Sequence, residues 1–161
     1  MINFIRKKYQ LPTKNTANPA DLQLVSTQSK PITFNQLLEK HRGKVLYIDF
    51  WSSDCLPCLK QFEAAKALKT AYKDKELVQI YLSIDSDKKA WLKACQKFDL
   101  NQDSYFVKNK HVSKQLAALN VHYIPHYLIY DKAGKLVNAF APNPTKRDLR
   151  KLLDGYLGEE I

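Results

Sequence analysis

The chain has little glycine, only 4 in 161 residues, and no Gly-rich loop. That argues against a phosphate-cradling nucleotide site. Cysteine is scarce too: Cys55, Cys58 and Cys95. An odd, low count argues against a disulfide-stapled secreted scaffold and fits one working pair plus one bystander. No run of about 18 apolar residues exists, so nothing reads as a membrane-crossing helix. The first ten residues, MINFIRKKYQ, are too polar for a signal-peptide core. On that ground the protein is either cytosolic or has its targeting segment outside this sequence.

What is abundant is positive charge. Lys and Arg number 26 against 16 Asp and Glu, a formal charge of +10. Such an excess attracts acidic partners, anionic membrane surface or nucleic acid. Here the lysines are spread along the chain, which reads as a solvated basic surface. No nucleic-acid-binding fingerprint accompanies them, so nucleic acid is not expected as a partner. A hydrophobic fraction of 45% and 161 residues suit one domain with a real core.

Residues 1–21 are polar, contain Pro12 and Pro19 and lack periodicity. They read as an arm, and 22–161 as the folded domain. Leu22 to Ser26 fits a short edge strand. Phe34 to His41 fits a short helix capped by Thr33, with Gly43 ending it. The run Val45-Leu46-Tyr47-Ile48-Asp49-Phe50-Trp51 is continuous enough for a buried parallel strand. Leu59, Phe62, Ala65, Leu68 and Tyr72 then predict one helix from Leu56 to about Lys73. Leu77 to Ile84 predicts a second strand. Asp85 to about Phe98 predicts a helix, with Trp91, Ala94, Cys95 and Phe98 on one stripe. Val112, Leu116 and Leu119 mark a further short helix. Ile124 to Tyr130 and Leu136 to Phe140 predict a hairpin turning at Asp131–Gly134. A last helix starts near Pro144 or Thr145, with capping-box spacing from Thr145 to Asp148, and stops at Gly158. Strands alternating with helices imply βαβ units around a parallel core.

The chemistry concentrates at Cys55-Leu56-Pro57-Cys58, where the first buried strand gives way to a helix. Helix N-termini present free N–H groups and positive partial charge, which favour a thiolate. Thiolate is the form that attacks disulfides. A bare C-x-x-C is also compatible with half a zinc site or with two inert thiols; the strand-to-helix position points to the redox dithiol. Asp49 is a carboxylate in an apolar strand, costly unless it has a partner or a task. By its residues alone it is either a buried acid or a strand-end Asp turned to solvent. Cys95 lies on an apolar helix stripe and reads as a buried spectator.

Three features together resemble the thioredoxin superfamily. They are the segment from Tyr47 to Lys60, the Ile124-Pro125 step seventy residues after Cys55, and the hairpin turn at Asp131–Gly134. Residues 22–157 look most like the TlpA/ResA-like branch, and the stretch from Asp131 to Pro142 is similar to forms common in the Bacteroidetes. The resemblance implies an α/β thioredoxin fold: a central mixed sheet flanked by helices, an N-terminal extension, and an inserted helix before a cis-proline. It implies a thiol–disulfide oxidoreductase without a cofactor beyond the Cys55–Cys58 pair. Cys55 is then the nucleophile, Cys58 the resolving thiol, and Asp49 the acid that accepts the Cys58 proton. Trp51, Leu56, Pro57, Ile124, Pro125 and His126 are the expected substrate-binding residues. Among these, Trp51 is also compatible with ordinary core, Pro125 with a trans strand-start proline, and His126 with a half-exposed strand position. Expected partners are protein disulfide or dithiol substrates and an upstream thiol electron donor. The chain is expected to be a monomer and to work as a reductase outside the cytoplasm, with the cytosol as the alternative.

The sequence departs from the family at two places. Asp54 stands before the first Cys where Trp is common, and a carboxylate there opposes thiolate formation. Leu56 replaces the usual small residue. Three other readings compete. A peroxiredoxin-like peroxidase finds Ser52 three residues before Cys55, but Ile48 stands where that family has proline. A metal- or copper-handling module has two thiolates and an imidazole, one ligand short of a closed zinc site. A binding module that keeps the fold without turnover has no need of the dithiol.

Overall fold

The computed structural model describes residues 21–158. The expected arm therefore lies outside the described residues, except for Asp21, which is buried. The elements are β1 (Gln23–Ser26), β2 (Pro31–Thr33), α1 (Phe34–Lys40), β3 (Val45–Trp51), α2 (Leu56–Leu59), α3 (Phe62–Ala71), β4 (Leu77–Ser83), α4 (Lys88–Lys97), β5 (Ser104–Val107), α5 (Lys114–Ala118), β6 (His126–Tyr130), β7 (Leu136–Asn138) and α6 (Arg147–Leu157). They build one sheet in the order β2-β1-β5-β4-β3-β6-β7. β3 pairs parallel with β4, and β4 with β5. β6 runs antiparallel to β3 and carries β7 as a hairpin. The architecture is thus the mixed thioredoxin sheet that the resemblance implies.

All seven residues of β3 are buried, which is why its sequence shows no polar alternation. Strand alternation divides it between two faces. Leu46, Ile48 and Phe50 pack with Phe34 and Leu37 of α1 and Leu116 of α5. Val45 and Tyr47 meet Leu68 of α3 and Leu149, Leu153 and Leu157 of α6. Trp51 packs with Cys58, Phe62, Tyr81, Trp91 and Cys95. Asp49 falls between Tyr47 and Trp51 on that second face, under the helices that follow the dithiol.

Local chemistry explains several boundaries. Thr33 caps α1 as expected: its Oγ1 accepts the Gln36 N–H at 3.1 Å, and Gln36 Oε1 accepts the Thr33 N–H at 2.9 Å. That reciprocal pair contributes about 1 kcal/mol. At the hairpin, Asp131 Oδ1 accepts N–H groups of Ala133 and Lys135, and Gly134 takes φ +78°, which L side chains adopt at a cost.

The structure corrects the sequence reading in several places. β1 is not an edge strand; it is flanked by β2 and β5. Neither β2 nor β5 was expected, and 101–120 supplies a strand as well as the inserted helix. The helix predicted from Leu56 to Lys73 is two, α2 and α3, parted at Lys60 and Gln61. Both of those residues keep αR backbone, so the apolar period runs through the break. α4 starts at Lys88, capped by Asp87, whose side chain accepts the Lys89 N–H. β7 ends at Asn138. The capping box from Thr145 to Asp148 does not form: Thr145 bonds to Asn143 Oδ1 instead, and α6 begins at Arg147 with Lys146 as its cap.

Candidate active site

β3 ends at Trp51, and the Ser52–Asp54 loop delivers Cys55 as the N-cap of α2. The Cys55 N–H donates to Ser52 O at 3.2 Å, closing the turn. The Cys58 N–H points back to Cys55 Sγ at 3.3 Å. Pro57 lies in the first turn of α2, where a missing N–H costs nothing. Cys55 and Cys58 are joined by a disulfide, with Cα atoms 5.3 Å apart. Cys58 is buried at 1% exposure and Cys55 is partly exposed, with Leu56 and Pro57 exposed beside it. The N-terminal sulfur is therefore the one a macromolecule can reach. After reduction the Cys58 N–H directed at Cys55 Sγ, and the helix start it belongs to, favour the thiolate there.

Asp49 is 2% exposed, and burial pushes its carboxyl well above the usual carboxylate range. Its Oδ1 has no hydrogen-bond partner. It is flanked in register by Tyr81 on β4 and Tyr127 on β6. Burial raises those two phenols, and Asp49 raises them further. The alternative of a solvent-facing strand-end Asp is thereby removed. A carboxyl whose proton affinity is raised by burial is suited to exchange a proton with a thiol.

Ile124-Pro125 is a cis peptide, as the resemblance implies. Ile124 packs against the cluster that holds Cys55 and Cys58. Two expected substrate contacts are placed elsewhere. Trp51 is fully buried, its ring edge-on to Phe62 at 5.0 Å, so it supports the dithiol helices from below and offers no surface. His126 is opposite Phe50 across β3 and β6. Directly opposed residues share a face, so His126 lies on the face away from Asp49 and Trp51. Its Nε2 is 2.7 Å from Ala139 O, within rings of Phe50, Tyr123 and Phe140. It is buried, and burial lowers its pKa, which favours the neutral imidazole. Cys95 is a buried free thiol, as expected.

One residue at the site was not singled out by the sequence. Asp85, just past β4, is buried and bonds to Ser53 in the loop before Cys55. In the sequence it stands at an expected helix start. The available signal was its position at the C-terminal end of a parallel strand beside β3, where such sheets build their sites. Among the described residues, no three His, Cys, Asp or Glu side chains gather in a metal-holding cluster.

A family model described as thioredoxin-like matches residues 43–136. The thiol-disulfide oxidoreductase ResA of Bacillus cereus is 28% identical over 120 residues, covering 74% of this chain and 65% of that protein. ResA of Geobacillus kaustophilus is 25% identical over 117 residues, covering 73% and 66%. This chain thus spans just under two thirds of the length of these curated relatives. A crystal structure of a candidate thiol-disulfide oxidoreductase from Bacteroides vulgatus superposes with a TM-score of 0.73 at 26% identity, covering 91% of this chain and 97% of the other. The thioredoxin domain of another Bacteroides vulgatus thiol-disulfide oxidoreductase gives 0.72 at 21% identity over 92% and 99%, a likeness of fold. Sheet order, dithiol placement and the matched segment agree, and the chain belongs to the thioredoxin-like family.

Proposed function

We propose that this chain is a thiol–disulfide oxidoreductase that reduces protein disulfides. The observation that carries this reading is the partly exposed Cys55 at the N-terminus of α2, bonded to a buried Cys58 one turn away. In the reduced protein, the Cys55 thiolate attacks one sulfur of a target disulfide. The target S–S bond breaks, one target thiolate leaves, and a Cys55–target mixed disulfide forms. Cys58 gives its proton to the Asp49 carboxylate and attacks Cys55 Sγ. The mixed disulfide breaks, the second target sulfur leaves as a thiolate that takes up a proton, and the Cys55–Cys58 disulfide forms. Two electrons pass to the target, and an upstream dithiol donor restores the pair. Proximity supplies most of the rate of the second step, because Cys58 is already held beside the sulfur it attacks.

The same reading assigns a client surface to Leu56, Pro57 and the main chain at Ile124 and Pro125. Exposure of Leu56 at 61% supports it, as does the contact of Ile124 with the dithiol cluster. No dissociable cofactor is needed, since the dithiol carries both electrons. The likeness to ResA favours work outside the cytoplasm, and no helix among the described residues is long and apolar enough to cross a membrane.

Two variants test the mechanism. Cys58→Ser with a disulfide-bonded client should accumulate a covalent Cys55–client adduct that releases with dithiothreitol. Cys55→Ser should give neither adduct nor reduction. Reduction that survives Cys55→Ser would sink the reading, and consumption of peroxide by Cys55 without client reduction would revive the peroxidase alternative.

A further inference from the structure

The parallel pairing of β3 and β4 places Trp51 opposite Ser83, so both strands leave the sheet side by side. β3 continues into Ser52–Asp54 and Cys55. β4 continues into Ile84 and Asp85. The Ile84 N–H donates to Trp51 O at 2.9 Å, fastening the two exits. Asp85 is 7% exposed, and its carboxylate is used entirely between them. Oδ1 accepts the Ser53 hydroxyl at 2.6 Å and shares the Ser53 N–H with Oδ2, each at 3.0 Å. Oδ2 also accepts the Ser83 hydroxyl at 2.5 Å. The Asp85 N–H donates to Ser83 Oγ at 3.0 Å. A buried carboxylate is costly unless such bonds satisfy it. Here Ser53, a loop residue two positions before the nucleophile, supplies an N–H and a hydroxyl, and Ser83 at the end of β4 supplies the other hydroxyl.

We propose that Asp85 is a positioning residue for the dithiol: through Ser53 it fixes the Ser52–Asp54 loop, so that Cys55 Sγ rests on the N–H of Cys58. The chain of contacts is continuous. Asp85 holds Ser53, the neighbouring Ser52 carbonyl takes the Cys55 N–H, and the Cys58 N–H reaches Cys55 Sγ. A loosened loop lets the sulfur leave the helix start, and the thiolate loses that support. The assignment rests on reading the dithiol as an exchange site.

Asp85 also acts through its charge, with the opposite sign, since a nearby carboxylate disfavours a thiolate. Asp85→Asn and Asp85→Ala both remove the charge, but only Asn keeps an oxygen for Ser53. Asp54, beside Cys55, and Asp49 on the sheet are unchanged in both. The experiment is the pH dependence of Cys55 alkylation in the reduced protein, with the modified residue identified by mass spectrometry. The midpoint in Asp85→Ala should lie above that of Asp85→Asn, with about threefold less thiolate at neutral pH. Ser53→Ala, which keeps the charge and the main-chain bond, should lie above the wild type by a smaller step. It also carries the test if Asp85→Ala does not fold. Leu153→Ala, in α6, controls for lost stability and should leave the midpoint in place. Coincident midpoints for Asp85→Ala and Asp85→Asn, with Ser53→Ala at the wild-type value, would overturn the assignment. Alkylation does not depend on client exchange, so failure of the oxidoreductase reading would appear separately, as a protein that never equilibrates with glutathione.

Discussion

Asp49 and Tyr127 stand directly opposite each other across β3 and β6, and each buries a side-chain oxygen that has no hydrogen-bond partner. Burial accounts for the rise in the Asp49 pKa, and no cation among the described residues offsets it. Instead the carboxyl sits among the phenols of Tyr47, Tyr81 and Tyr127, with Tyr47 and Tyr127 stacked at 5.3 Å. The fold keeps an acid of raised proton affinity on the face that the dithiol helices cover.

Asp49→Asn should stabilise the oxidised protein, and the gain should grow with pH. The folded carboxyl holds its proton at pH values where the unfolded chain has lost it. Stability therefore falls as pH rises from the ordinary carboxylate range through the folded value. Asparagine removes that slope. Urea unfolding at neutral pH should show a gain on the order of 1–3 kcal/mol, while client reduction slows by at least about tenfold. Unchanged stability across the pH range would mean that the carboxylate has a compensating partner in the fold.

Cys95 should be silent in the native protein. It is fully buried on α4, and burial pushes its thiol up to about 11. A chromogenic thiol reagent at mildly alkaline pH should find almost nothing in the oxidised native protein and one thiol per chain after denaturation. Rapid native labelling would show that the α4 side of the core opens.

Phe62 is the aromatic hinge of the site. Its ring meets Trp51 at 5.0 Å, Tyr81 at 5.8 Å and Phe98 at 5.2 Å. Phe62→Ala should cost about 3–5 kcal/mol in urea unfolding, because three neighbouring rings cannot collapse fully into the space. A loss below about 1.5 kcal/mol would mean that the region repacks.

Much of this was legible in the residues. The unbroken apolar run of β3, the dithiol after it, Thr33 before Phe34 and the Asp131–Gly134 turn each announce a local preference that the fold keeps. What was not legible depends on partners distant in sequence. Ser104–Val107 is four residues long, and it is a strand because β4 and β1 stand on either side to receive it. Lys60 and Gln61 break a helix without changing its period. His126 has the composition of a site residue, yet its register opposite Phe50 turns it to the other face. Asp85 matters through Ser53, thirty-two residues away, and no local pattern joins them.

The most direct test of the account is the reduction potential of the Cys55–Cys58 couple, equilibrated against glutathione and thioredoxin couples and read by thiol trapping. A reductase should show a reversible two-electron couple near about −270 mV. A value near about −120 mV would instead mark an oxidant and reverse the proposed direction, and the absence of any reversible couple would contradict the oxidoreductase reading itself.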